Sequence, residues 1–287
     1  MRSFPDKLML RLGLINTSNS FFVNDSENEI SYNLIPNTRE YLGVSLLFRS
    51  VELDFGFLPE FLEQNKDNSN SELFNLNFRT FLGQWMQTFN LYKQKGFFTD
   101  FRDIEIPLSN IKSFKMGGST SYIMNPNFSF RAIGFQNEWQ KKSAGSFIPR
   151  LFYYYSKFNF NENNIKESVK SFDIAISPSY YHNFVIREKI ILGFGASTGI
   201  GFNHNSSSES NINSVLFEFG GSASVGYHSK SFFVGLNSSF NVFEHKTNRF
   251  VRIDDTITFL EFYVGYRFKA PKSFIKTADK VNKFLGL

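Results

Sequence analysis

Polar and apolar residues alternate along most of this chain with a period of two. The clearest segment is Thr258–Phe268. Leu260, Phe262, Val264, Tyr266 and Phe268 share one face, and Phe259, Glu261, Tyr263, Gly265 and Arg267 share the other, which is the signature of a strand with one greasy and one mostly polar side. The same pattern runs through Glu40–Arg49, where Leu42, Val44, Leu46 and Phe48 share a face, and through Val51–Leu58, where Val51, Leu53, Phe55 and Phe57 alternate with Glu52, Asp54 and Gly56. Further strands are expected at Lys7–Ile15, Leu73–Phe81, Gln84–Tyr92, Lys112–Met124, Phe128–Trp139, Phe147–Phe160, Phe172–Phe184, Lys189–Asn203, Ser214–Tyr227 and Ser231–Phe243. That makes thirteen. An up-and-down barrel with both termini on one side needs an even number. Adding Glu29–Leu34 gives fourteen, the expected count, with twelve as the alternative. Gly96–Asn110 reads as irregular, and 161–170, 204–213 and 244–256 read as polar loops at the end opposite the termini.

Past Phe268 the period changes. Phe274, Ala278, Val281 and Leu285 fall at helical spacing, with Lys276, Lys280 and Lys283 elsewhere around the helix. This predicts a short basic amphipathic helix, suited to a membrane surface, a barrel mouth or a partner protein.

Alternation alone does not separate a soluble sandwich from a membrane barrel; composition does. The 287 residues include 38 Phe and 12 Tyr, 18% of the chain is aromatic, and mean hydropathy is only −0.25. No run approaches the ~18–20 apolar residues of a membrane helix. Many aromatics, average hydropathy and pervasive alternation suit a transmembrane barrel, greasy side to lipid. The expected architecture is therefore all-β, an antiparallel transmembrane barrel over 1–268 followed by a periplasmic tail with a helix over 269–287. An outer-membrane location requires export, so a signal segment is expected to precede this numbering. The +5 formal charge is scattered, with no basic patch of the kind nucleic acid requires.

Charges on the lipid face cost roughly 2–4 kcal/mol for Arg or Lys at mid-depth. Glu52, Asp54, Arg79, Arg131, Glu218, Glu261 and Arg267 are accordingly expected to point into the lumen, where they either pair across it or line a pore. Chemistry-bearing motifs are weak. Gly195-Ala-Ser-Thr-Gly-Ile-Gly201 mimics a dinucleotide fingerprint, and Tyr153 and Lys157 have the spacing of a dehydrogenase pair, but the order and the context are wrong for a phosphate-binding turn. Strand curvature or room in the lumen is the better reason for those glycines. His182, His204, His228 and His245 are isolated, and no metal site, cofactor or catalytic set is expected.

Four stretches carry a family likeness: Phe4-Pro-Asp-Lys-Leu8, Pro36-Asn37, Gln140-Lys-Lys-Ser-Ala-Gly-Ser-Phe147 and Gly265-Tyr-Arg-Phe-Lys-Ala-Pro-Lys272. They resemble the Bacteroidota outer-membrane proteins grouped as DUF4421, with the Gln140–Ser146 block the most specific. The resemblance implies an outer-membrane barrel and brings no activity or catalytic residue. The functional expectation is a non-catalytic barrel in contact with outer-membrane lipid, anchoring or scaffolding a larger envelope complex with other outer-membrane or periplasmic proteins. The alternative is a passive pore for small solutes.

Overall fold

The structure is a computed structural model. It describes all residues except 28, 38, 58–70, 102–103, 135–136, 163–164, 208–210, 247–250 and 286–287. In chain order the elements are β1 (Arg2–Ser3), β2 (Lys7–Asp25), β3 (Ile30–Pro36), β4 (Arg39–Phe48), β5 (Val51–Phe57), β6 (Glu72–Leu82), β7 (Trp85–Phe101), β8 (Ile104–Tyr122), α1 (Arg131–Gly134), β9 (Glu138–Trp139), β10 (Ala144–Ile148), β11 (Arg150–Glu162), β12 (Ile165–Ile176), β13 (Ser179–Ile186), β14 (Ile190–Ser206), β15 (Asn211–His228), β16 (Phe232–Lys246), β17 (Val251–Lys269) and α2 (Lys272–Leu285).

Every neighbouring pair is antiparallel, and β17 pairs with β2 along its whole length, from Lys269↔Lys7 to Val251↔Asp25, so the sheet closes on itself. Two of the twelve wall strands are interrupted by proline. β10 and β11 are one strand broken at Pro149, and β12 and β13 are one strand broken at Pro178. The register of each pair runs unchanged across the break, which sets the two prolines opposite each other. A proline has no N–H to give the ladder, so the pattern is locally lost while the strand continues.

Among the described residues the wall is therefore twelve strands, the smaller of the two expected counts. Of the thirteen expected strands, Phe128–Trp139 is the one that does not join the wall. Residues 123–143 leave it after β8, turn through α1, pair β9 with β1, and return at β10. Glu29–Leu34 adds no strand either, because β3 is the upper part of the strand that continues as β4. Within Gly96–Asn110 the described residues belong to β7 and β8, which pair from Phe97↔Leu108 to Phe101↔Ile104 after a register shift between Lys95 and Phe97. Most residues of the expected polar loops belong to the ends of β11, β12, β14, β15, β16 and β17, and the rest, 163–164, 208–210 and 247–250, lie outside the described residues.

Those long ends give the barrel two storeys. β5 and β6 stop halfway up. Above them β3 pairs directly with β7, Pro36↔Phe97 to Asn33↔Asp100, so the ring narrows from twelve strands to ten. The joint is made by Gly96, whose carbonyl accepts from the Asn37 N–H at 3.2 Å, while the Asn37 amide donates to Ser71 Oγ at 2.5 Å. Gly96 has φ +91°, a conformation that side chains disfavour.

On β2 and β17 the outer face is apolar only in the lower storey. Leu12 and Leu14 on β2, Leu53 and Phe55 on β5, and Phe262 and Val264 on β17 are all exposed. Higher on the same faces come Asn16, Ser18 and Ser20, and Thr258 and Thr256. A 19-residue strand is ~60 Å long and rises roughly 45 Å when tilted ~40°, against a lipid-facing band of ~25 Å. The loop-end storey thus stands clear of the apolar belt.

Candidate functional site: a closed lumen

Alternation on the closing strand is as expected. Leu260, Phe262, Val264, Tyr266 and Phe268 are each 44–52% exposed, whereas Glu261, Tyr263 and Arg267 are 1–3% exposed and face the lumen. The lumen is filled in layers.

At the turn end an apolar core sits inside the barrel. Phe4 from the N-terminal segment and Phe128 and Trp139 from the inward segment pack on Met9, Leu47 and Phe233 of the wall. Ala132 and Ile133 of α1 pack on Ile191 of β14. Polar bonds hold the segment in place. The Trp139 indole N–H donates to the Glu188 carbonyl, and the Asn137 amide donates to the Arg49 carbonyl. Gln140 accepts from the Ser129 N–H and from the Asn183 amide, both at 2.8 Å. Asn125 donates to the Gly145 carbonyl at 2.7 Å, and its N–H to Ser146 Oγ at 3.0 Å. The distinctive Gln140–Ser146 block is therefore the stretch by which the plug rejoins the wall, and Asn125 at the departing end is bonded to it.

Arg267 lies in this layer. Its guanidinium is 4.5 Å from the Phe4 ring centroid and 4.6 Å from that of Phe233, and it donates to the Ser229 carbonyl at 2.8 Å. Arg131, expected on a lumen-facing strand, is instead on α1 within the plug, ion-paired with Glu138 at 3.1 Å and over the Phe81 ring. The strand assignment failed there because Phe-Ser-Phe-Arg-Ala-Ile alternates by chance over a short run.

Above the plug is a charge cluster. Arg11 meets Glu52 at 3.2 Å, Asp54 at 3.1 Å and Glu261 at 3.5 Å, and Arg79 meets Glu52 at 3.8 Å. Asn237 donates to Glu261 at 3.1 Å and Ser45 accepts from Arg11 at 3.0 Å. Three of the seven expected lumen charges thus converge on one cation that sequence reading did not single out, and a fourth, Arg79, joins them through Glu52. The signal was present: Arg11 has the opposite parity to Leu8, Leu10, Leu12 and Leu14. Gly13 makes room, since a Cβ there would sit 2.8 Å from Glu261 Oε1. A second cluster centres on Glu218, which takes Arg150 at 2.7 Å, Ser177 at 2.5 Å and Ser197 at 3.0 Å.

Between and above these clusters lies a cavity of about 330 Å³ lined largely by hydroxyls and amides. The glycines of the dinucleotide-like stretch fall on β14 and serve this interior: a Cβ on Gly195 would strike the Tyr181 ring, and one on Gly201 would strike Ala175 and the Ile174 carbonyl. No helix follows them. Higher still, Lys115 of β8 reaches Asp255 of β17 at 2.7 Å across the interior, beside Phe243. Nearer the loop end Phe21, Phe97 and Phe158 meet edge to face or tilted, at 5.0–6.4 Å. Buried ion pairs of this kind fix geometry more than they add stability. His182 and His204 lie away from the lumen core, while His228 stacks on Trp139 and His245 is buried. Among the described residues no group of acids and histidines could hold a metal.

Of the tail candidates, Phe274 is exposed with its ring 6.1 Å from Phe48, and Ala278 is half-buried. The side chains of Val281 and Leu285 lie outside the described residues.

A closed antiparallel ring, an apolar outer belt and an interior holding the charges define a transmembrane β-barrel, here with its lumen plugged from within. The chain belongs to the family described as domain of unknown function DUF4421, whose model matches residues 1–268. No curated protein sequence matches it. Similar solved structures include the outer-membrane channel COG4313 of Pseudomonas putida F1 (10% identity, 93% of this chain and 97% of that one, TM-score 0.46). The outer-membrane protease OmpT of Escherichia coli (8%, 93% and 99%, 0.37) and OprG of Pseudomonas aeruginosa (9%, 93% and 99%, 0.29) are also similar. At these values the likeness does not reach individual residues.

Proposed function

We propose that this protein is a non-catalytic outer-membrane barrel of a Bacteroidota cell that acts through its two ends, as an anchoring or scaffolding subunit of a larger envelope complex. The observation that carries this reading is the filled lumen. The plug around Phe4, Phe128 and Trp139 occupies the turn end, and Arg11 with Glu52, Asp54 and Glu261 ties β2, β5 and β17 together above it. A lumen occupied in this way supports work done at the surfaces, and the ten-strand storey supplies a large one. Mild-detergent purification of the tagged protein from its own membrane, followed by mass spectrometry, tests it. Stoichiometric companions are expected; a lone barrel defeats the scaffold reading.

The cavity favours a second reading, a small-solute pore opened when the plug is displaced. Wild-type protein in planar bilayers is expected to be silent. Replacing residues 126–142 with a short Gly-Ser linker is expected to produce steady conductance. Conductance from the intact chain would overturn the closed-lumen proposal and establish the pore.

A further inference from the structure

The tail helix is placed where the greasy wall meets water. β17 ends at Lys269, Ala270 is buried with its N–H on the Asp6 carbonyl at 2.9 Å, and α2 begins at Lys272. Phe268 of β17 is paired with Leu8 of β2, and Leu8 with Phe48 of β4, so these three residues form a row on the outer face at the turn end. The Phe274 ring rests against Phe48, two strands along from where the helix started. One turn further, Asp279 takes the Arg49 guanidinium at 2.6 Å. α2 therefore runs sideways around the foot of the barrel, not into its mouth, with Phe274 and Ala278 on the same side as the lipid-facing row.

At ~100° per residue, Lys272, Lys276, Lys280 and Lys283 fall within one arc of about 80°, roughly opposite Phe274 and Ala278. All four lysines are exposed. Among the described residues no carboxylate pairs with them; the helix's one acid, Asp279, is taken by Arg49. A wholly structural tail would have no need to gather its cations opposite Phe274 and Ala278, with Asp279, which meets Arg49 of the wall, at the edge of their arc. A helix with an apolar side level with the belt and a cationic side facing outward matches a layer of acyl chains topped by anionic headgroups.

We propose that α2 is an interfacial helix that binds the anionic phospholipid headgroups of the leaflet at the turn end, with Lys272, Lys276, Lys280 and Lys283 as the headgroup ligands and Phe274 as the acyl-chain contact. This rests on the membrane-spanning barrel and is independent of the scaffold reading. The partner is the lipid surface itself; a protein partner for the same face is an outcome of the test.

The chain has no cysteine, so single labels can be placed cleanly. Ala278→Cys carrying an environment-sensitive fluorophore would be reconstituted as full-length protein in nanodiscs of phosphatidylcholine alone or of phosphatidylcholine with one quarter phosphatidylglycerol. In the mixed discs the label is expected to emit to the blue and to be quenched by spin-labelled lipid. Neutralising lysines to Gln should lower the bound-to-free ratio roughly fivefold for each lysine, and raising the salt should lower it too. A label equally wet in both disc types overturns the proposal. A label that is dry in both and indifferent to all four Lys→Gln changes also overturns it, and assigns the helix to apolar docking on protein. Each variant's barrel is checked by its shift on unheated gels. Failure of the unmodified chain to enter discs would defeat the barrel, whereas a wet label on an inserted barrel defeats only the helix.

Discussion

The two storeys of the wall share strands and differ in everything else. The lower one has twelve strands, an apolar outer face and an interior packed with a plug and a buried charge cluster. The upper one has ten strands, polar outer residues on β2 and β17 and an interior holding a knot of phenylalanines. In lipid, side chains on the outer face are selected for grease and every charge is driven inward, where it must find a partner. In water that constraint lapses, and ordinary polar residues coat the same strands. The difference teaches that the inside-out character of the molecule is a property of depth, not of the strands.

The comparison is most exposed at Arg11. Arg11→Ala leaves Glu52, Asp54 and Glu261 buried around a missing cation, an arrangement expected to cost about 3–5 kcal/mol. Urea unfolding in detergent checks it, and a wild-type midpoint would remove the cluster from the account of the fold. Next comes a charge on the outer face. Phe262→Lys, in the belt, is expected to cost about 2–4 kcal/mol in bilayers, whereas Thr256→Lys, six residues up the same face, should cost about 0–1 kcal/mol. Equal losses at the two positions would erase the depth distinction.

The joint between storeys is the third point of attack. Gly96→Ala places a Cβ against Ser71 Oγ and 2.9 Å from the Asn37 amide, in a backbone conformation at φ +91°. A loss of about 1–3 kcal/mol is expected. Gly83→Ala, at φ +61° with open space around it, should lose only about 1 kcal/mol. If the two glycines prove equivalent by thermal melting, the joint is not tightly packed.

Much of the inside-outside assignment was legible because it is local. Glu52, Asp54, Glu218, Glu261 and Arg267 were placed by parity alone, since a strand's side chains can only alternate. The loops were misjudged for a related reason: Asn, Ser, Lys and Glu mark a loop in a soluble protein, but they also coat strand ends that have left the lipid. Phe128–Trp139 was misread because an aromatic-rich segment inside a barrel carries the same composition as one in its wall. An odd strand count was the warning, and the right repair was to remove that segment, not to add Glu29–Leu34.

By itself the sequence determined the strand period, the lipid side of each strand, the inward charges and the change to helical spacing after Phe268, all set within a few residues of chain. Tertiary structure decided the count of twelve, the narrowing to ten, the inward fold of residues 123–143 and the choice of Arg11 as the hub for three carboxylates. Those depend on which distant strands lie side by side and at what shear. Arg11 and Glu261 are neighbours only because β17 closes on β2 in one particular register, and no local pattern encodes that pairing.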